Sequence, residues 1–115
     1  MKWYQFHQNN SGGSFIAPAI NVHIEVPTAE KANAIAQCEG LYFDGCEDGR
    51  DCECCGDRWY PCGESDAQPV ASHYSTPLSN IDRDKIDKSD TEWAKEAGIT
   101  LHLLIYADGS KGEMP

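Results

Sequence analysis

Apolar and polar residues alternate most regularly at Ile20, Val22, Ile24 and Val26, with Asn21, His23 and Glu25 between them. A period of two is the signature of a strand with one buried face, so this stretch predicts a half-buried strand. Ile99, Leu101, Leu103 and Ile105 repeat the pattern near the other end, up to the turn signal Asp108-Gly109. A shorter alternation places Tyr4 and Phe6 on one face of a strand over 3–7. Pro27 ends the 20–26 strand, and the Thr28 hydroxyl is suited to cap a helix. Ala29, Ala32, Ile35 and Ala36 then form a narrow stripe of small residues, which lets a helix lie close on a sheet; Gly40 supplies the left-handed stop.

Leu41-Tyr42-Phe43 reads as a short buried segment, and Asp44-Gly45 and Asp48-Gly49 as turns into a cysteine-rich insertion over about 44–63. From 63 to 88 no periodicity is sustained, which predicts a long irregular loop. Ser89-Asp90-Thr91-Glu92 resembles a capping box opening a short helix to Ala97, closed by Gly98. The resulting order predicts an α+β domain over 1–115, with a small antiparallel sheet of three to four strands and one helix packed on a face. In such a sheet His7, His23 and His102 fall on the face away from the helix, with Trp3, Gln5, Asn21, Glu25 and Tyr106. That face reads as solvated or dimer-forming, or as a polar-aromatic binding surface.

Composition narrows the partners. The chain has 115 residues, 40% of them hydrophobic, enough for one domain with a modest core. It has no apolar run of membrane-spanning length, and its first ten residues lack the apolar stretch of a signal peptide. Nine basic residues against nineteen acidic ones give a net charge of −10. Such a surface repels a nucleic-acid backbone, so direct nucleic-acid binding is not expected. It serves solubility, or mimics nucleic acid toward a protein partner.

The six cysteines carry the candidate chemistry. Cys52 and Cys55 have the C-x-x-C spacing that brings two thiolates onto one ion, and Gly56 lets the backbone turn back. A structural zinc needs four donors, and Cys62 and Cys46 complete the expected set, with Cys54 and His73 as alternates. In a reducing compartment, clustered thiols bind metal more often than they pair. Disulfides, free thiols and an iron–sulfur cluster are the competing readings. Cys38, beside Ile35, reads as a small buried hydrophobe. A catalytic zinc would need an open position and a base such as Glu53, Asp51 or Asp57, and the His-x-Glu element of zinc deaminases is absent.

Two further constellations could hold a ligand. Gly12 and Gly13, flanked by Ser11, Asn10 and Ser14, expose successive backbone N–H groups that can cradle a phosphate without positive charge. Arg50, Arg58 and Trp59 flank the cysteine loop and could hold a phosphate and stack a base. Equally, the arginines could pair with Asp44, Asp51 or Asp57, and the glycine loop could be a wide turn. Asp82, Asp84 and Asp87 lack the glycine and terminal glutamate of a calcium loop.

The segment Gln8-Asn9-Asn10-Ser11-Gly12-Gly13-Ser14-Phe15 resembles one found in a family of small, uncharacterised bacteriophage proteins. So does Tyr42-Phe43-Asp44-Gly45, continuing through Gly49-Arg50-Asp51-Cys52-Glu53-Cys54-Cys55-Gly56-Asp57-Arg58-Trp59. The likeness covers mainly residues 1–60 and the final strand; Cys46 and Cys62 lie outside the shared motif. It implies a phage origin and a site of action in the host cytoplasm, and brings no known reaction. Phage proteins of this kind commonly counter host defence or redirect host machinery. The expectation is therefore a non-enzymatic, zinc-binding accessory protein that inhibits a host or defence protein. Sequestration of a nucleotide immune signal is the alternative, and a zinc-dependent enzyme the third reading. Self-association through the sheet face is a further possibility.

Overall fold

The computed structural model describes residues 1–9, 18–47, 49, 56–73, 76–77, 95 and 98–114. Strand β1 (Lys2–His7) is followed by β2 (Ala19–Val26), helix α1 (Ala29–Cys38), a 3-10 turn at Glu64–Asp66, the short strands β3 (Ser72–His73) and β4 (Thr76–Pro77), and then β5 (Thr100–Ile105) and β6 (Lys111–Met114). Four of the strands form one sheet in the order β1-β2-β5-β6, and β3 and β4 pair separately.

The sheet is mixed, not antiparallel as the pattern predicted. β1 runs antiparallel to β2 and β6 antiparallel to β5, whereas β2 and β5 are parallel, with Val22 beside Leu103 and Ile24 beside Ile105. Parallel neighbours need a long crossover, and the chain between β2 and β5, which includes α1, supplies one. Alternation fixes which face is buried and is blind to strand direction, so the pattern could not separate the two arrangements. β6 was also unforeseen. Its residues Lys111, Gly112 and Glu113 carry no apolar period, and the Asp108-Gly109 turn before it was the only signal, with Gly109 at φ 87°.

The helix forms where it was expected. Thr28 is extended and its hydroxyl accepts the Lys31 N–H at 3.3 Å, while Gly40 takes φ 102° just beyond the last turn. Ala29, Ala32 and Ala36 are buried against Tyr4, Phe6, Val22, Ile24, Val26, Leu103 and Ile105, with Leu41 and Trp59 closing the core. Their small side chains let the helix backbone approach the larger strand residues, each contributing about 1.5–3 kcal/mol on full burial. Leu41 is buried and Tyr42 and Phe43 pack against the core, as read from sequence. Cys38 departs from expectation: it is exposed, because two residues beyond buried Ala36 it falls on the opposite side of the helix from the sheet-facing stripe.

The sheet's second face is not the solvated surface that alternation suggested. Asn21, His23 and His102 are buried there as deeply as the apolar residues opposite. Ala71 packs on Trp3 and Leu104 on that face, while Ile99 packs on Ile20 and Leu101 in a small cluster apart from the main core. Within the segment predicted to be an irregular loop, 63–73 is tied down by the 3-10 turn and by a two-way backbone bridge between Gln68 and Trp3, each bond 2.8 Å. The helix expected at 89–97 lies, apart from Lys95, outside the described residues; Gly98 beyond it has φ 70°.

Candidate functional site

β1 is an edge strand, and its outward backbone groups belong to Trp3, Gln5 and His7, because Gln8 bonds inward to Ile20 at 2.7 Å. Residues 58–68 run along this edge in the opposite direction. Asn9 N–H donates to the Arg58 carbonyl at 2.8 Å, the Cys62 thiol donates to the Gln5 carbonyl at 3.1 Å, and Gln68 pairs with Trp3. Between these ties the two segments part and leave a groove of about 490 Å³. Gln5, His7 and Asn9 form one wall, and Tyr60, Pro61, Ser65 and Asp66 the other. Tyr60 is exposed, an aromatic ring in a cleft lined by both polar and apolar groups.

The outer wall is held by helix α1. The Asn33 side-chain amide donates to the Cys62 carbonyl at 3.0 Å, and its oxygen accepts the Cys62 N–H at 2.8 Å, imitating a strand partner. Glu64 does the same at the helix start: its carboxylate accepts the Ala29 N–H at 2.8 Å and the Tyr4 hydroxyl at 3.0 Å. These two bonds, that from the Ala29 backbone first, hold the Glu64 carboxyl below its ordinary range. The Asp66 carboxylate accepts the Gly63 N–H at 2.7 Å, fixing the turn in that wall.

Behind the inner wall lies a layer of polar side chains. Asn21 Oδ1 accepts from Gln5 Nε2 at 3.0 Å and lies 2.6 Å from His7 Nδ1, while Asn21 Nδ2 reaches the Leu101 carbonyl at 3.4 Å. One strand further, His23 Nε2 and His102 Nδ1 are 3.0 Å apart with both rings buried. Trp3 and Tyr106 close the far end in an edge-to-face contact, centroids 5.4 Å apart. The three histidines do share a face, as the alternation implied. Only His7 reaches the groove, and Asn21, His23 and His102 are interior.

The residues singled out from sequence separate into three groups. Arg58 and Trp59 are inside the protein: Arg58 donates to the Gln8 Oε1 at 2.8 Å and to the Tyr42 hydroxyl at 3.2 Å, and Trp59 is wholly buried in the core. A base cannot stack on a ring so placed, and the guanidinium serves Gln8 and Tyr42. Cys46 and Cys62 lie at the two ends of the cysteine-rich insertion. The Cys46 N–H donates to Asp57 Oδ1 at 3.0 Å, while burial first, and then the nearby Asp66 charge, push the Cys62 thiol up to about 12. A thiol so held is protonated, and as a zinc ligand it would surrender the Gln5 carbonyl. Ser11, Gly12, Gly13, Arg50, Cys52, Cys54, Cys55 and the His73 side chain lie outside the described residues.

Among the described residues no cluster of three or more His, Cys, Asp or Glu side chains is placed to hold a metal ion. No described helix is long and apolar enough to cross a membrane. Sequence reasoning missed the groove itself, since Tyr60, Pro61, Ser65 and Asp66 carry no motif; Pro61 and the Gly63–Asp66 turn only mark where the backbone bends away from β1. Neither the curated proteins nor the solved structures contain a match to the chain. The family model described as a domain of unknown function, DUF7296, covers residues 1–113, and the chain belongs to that family.

Proposed function

We propose that this is a non-enzymatic binding protein that docks a partner protein at the groove beside β1. The observation that carries this reading is the groove's character: an open cleft of mixed polar and apolar lining with one exposed aromatic ring, fixed on both walls, on a chain of net charge −10. Asp66 and the overall charge favour a partner segment that is basic or rich in hydrogen-bond donors, with Tyr60 as its anchor. The phage-protein resemblance adds the setting, the host cytoplasm, and the type of outcome, inhibition of a host or defence protein. The sequence spacing supports a zinc staple at Cys52 and Cys55, with Cys46, Cys62, Cys54 and His73 as the pool for the remaining ligands.

The nucleotide reading is weaker on specific grounds. Arg58 is committed to Gln8 and Tyr42, Trp59 is buried, and Asp66 would face an incoming phosphate. Two measurements test the proposal. Native mass spectrometry of protein purified from host cells reads metal and retained ligand together, and one zinc without a nucleotide-sized adduct is expected. Affinity capture should then recover one host protein with the native chain and lose it with Tyr60→Ala or Asp66→Lys. Capture indifferent to both groove variants, or a nucleotide adduct, overturns the reading.

A further inference from the structure

The sheet's other edge has a property unrelated to the groove. β6 pairs with β5 so that Leu104 lies opposite Gly112 and Leu103 opposite Glu113. The Tyr106 N–H donates to the Ser110 carbonyl at 2.8 Å, which sets the alternation of the ladder. By that alternation Gly112 and Met114 direct their backbone groups at β5, while Lys111 and Glu113 direct theirs away from the sheet. No described residue pairs with those outward groups, and both side chains are exposed. Edge strands are commonly blunted by charged side chains, proline, a bulge or a covering element. This one reads Lys111-Gly112-Glu113, which is complementary to itself when reversed.

We propose that β6 pairs antiparallel with β6 of a second copy of the chain about a two-fold axis at Gly112, joining two sheets into one. In that register Lys111 of each chain lies opposite Glu113 of the other. Those are the residues whose backbone groups point outward, so each pair exchanges two hydrogen bonds. Lys111 and Glu113 project to the helix side of the sheet, beside Ile105 and Leu103. There Lys111 already holds Glu39 at 2.7 Å, so each dimer edge gathers a Glu39–Lys111–Glu113 line of alternating charge. On the opposite side Gly112 leaves the axis free of side chains. The Tyr106 ring lies over it, 3.4 Å from where a Cβ would stand, and presents a partly exposed aromatic surface to the second copy.

The charge pattern gives a test by exchange. Sedimentation equilibrium of the full chain at low salt should show a monomer–dimer equilibrium. Lys111→Glu and Glu113→Lys each place like charges opposite one another twice, and each should weaken self-association by about tenfold or more. Mixed together, the two variants should form a heterodimer, because one chain then presents only acids and the other only lysines. Glu113→Pro removes an outward N–H without touching the β5 ladder and should leave a folded monomer, verified by circular dichroism. A native chain that is monomeric at millimolar concentration overturns the proposal. So does a dimer that survives Glu113→Pro, or failure of the two charge variants to associate. Groove variants leave this equilibrium unchanged, so the two proposals stand or fall separately.

Discussion

Replacing Asn33 tests whether helix α1 holds the outer wall of the groove. Asn33→Ala deletes two hydrogen bonds, of 3.0 and 2.8 Å, that serve the Cys62 carbonyl and N–H. Each is worth about 1 kcal/mol net, since Cys62 is half-buried and water can only partly replace the amide. The loss of about 2 kcal/mol is offset by about 0.5 kcal/mol, because alanine is the better helix former. A net loss of about 1.5 kcal/mol in a domain of this size lowers Tm by about 6 °C. Gln37→Ala, at an exposed site on the same helix, carries the propensity gain alone and should leave Tm level or slightly raised. Hydrogen exchange adds the location: the Cys62 amide should lose protection in Asn33→Ala while the β2 and β5 amides keep theirs. Calorimetry on matched samples decides it. A Tm that rises in Asn33→Ala as in the control means that the helix does not hold Cys62, and the rigid wall on which the docking proposal relies disappears.

Three further outcomes follow from the same contacts. Arg58→Ala should cost about 3 kcal/mol by removing a buried cation from Gln8 and Tyr42, read as a lower denaturant midpoint without any ligand present; unchanged stability would return Arg58 to the ligand-binding candidates. Glu64 has its carboxyl held below the ordinary 4.5, so its contribution to stability is complete above that value and is lost as pH falls through the lower, folded-state value. Glu64→Gln should therefore destabilise near neutrality and match the native chain in strong acid, and a constant difference across the titration contradicts the assignment. Cys62, at about 12 against an ordinary 9.0, carries about a thousandfold less thiolate than an unperturbed thiol. In metal-free protein, alkylation should mark exposed Cys38 well before Cys62, and equal rates would mean that the Cys62–Gln5 contact does not persist.

Most of what was legible in the chain was local. Strict alternation at 20–26 located β2, the small-residue stripe between Thr28 and Gly40 located α1, and the alternation from Ile99 located β5, because each depends on the period of its own backbone. Strand direction was not legible, since Val22 and Leu103 would share a face in either orientation. Nor was the burial of the second face: Asn21, His23 and Glu25 read as solvent-facing, and only the tertiary arrangement places Asn21 against Gln5 and His23 against His102. The groove shows the same limit more sharply. It exists because residues 58–68 are tied to β1 at Asn9, Gln5 and Trp3 and bow outward between, a spacing set by three distant contacts and by no motif.

The buried histidine pair has a consequence for how the fold is specified. A hydrogen bond between His23 Nε2 and His102 Nδ1 needs one nitrogen to carry a proton and the other to accept it, so at least one ring is neutral. Two apolar residues there would pack without any such requirement, and polar pairs in an interior generally add little to stability. What the pair does constrain is register. A slip of one residue between β2 and β5 is already excluded by the alternation, because it would turn the apolar set of one strand away from the helix. A slip of two keeps every side chain on its face, but moves His23 about 7 Å along the strand from His102 and breaks their bond. The parallel pairing at the centre of the sheet rests on a long crossover, which specifies direction only weakly. A polar bond that forms in one alignment therefore supplies discrimination that the apolar face, uniform along its length, does not.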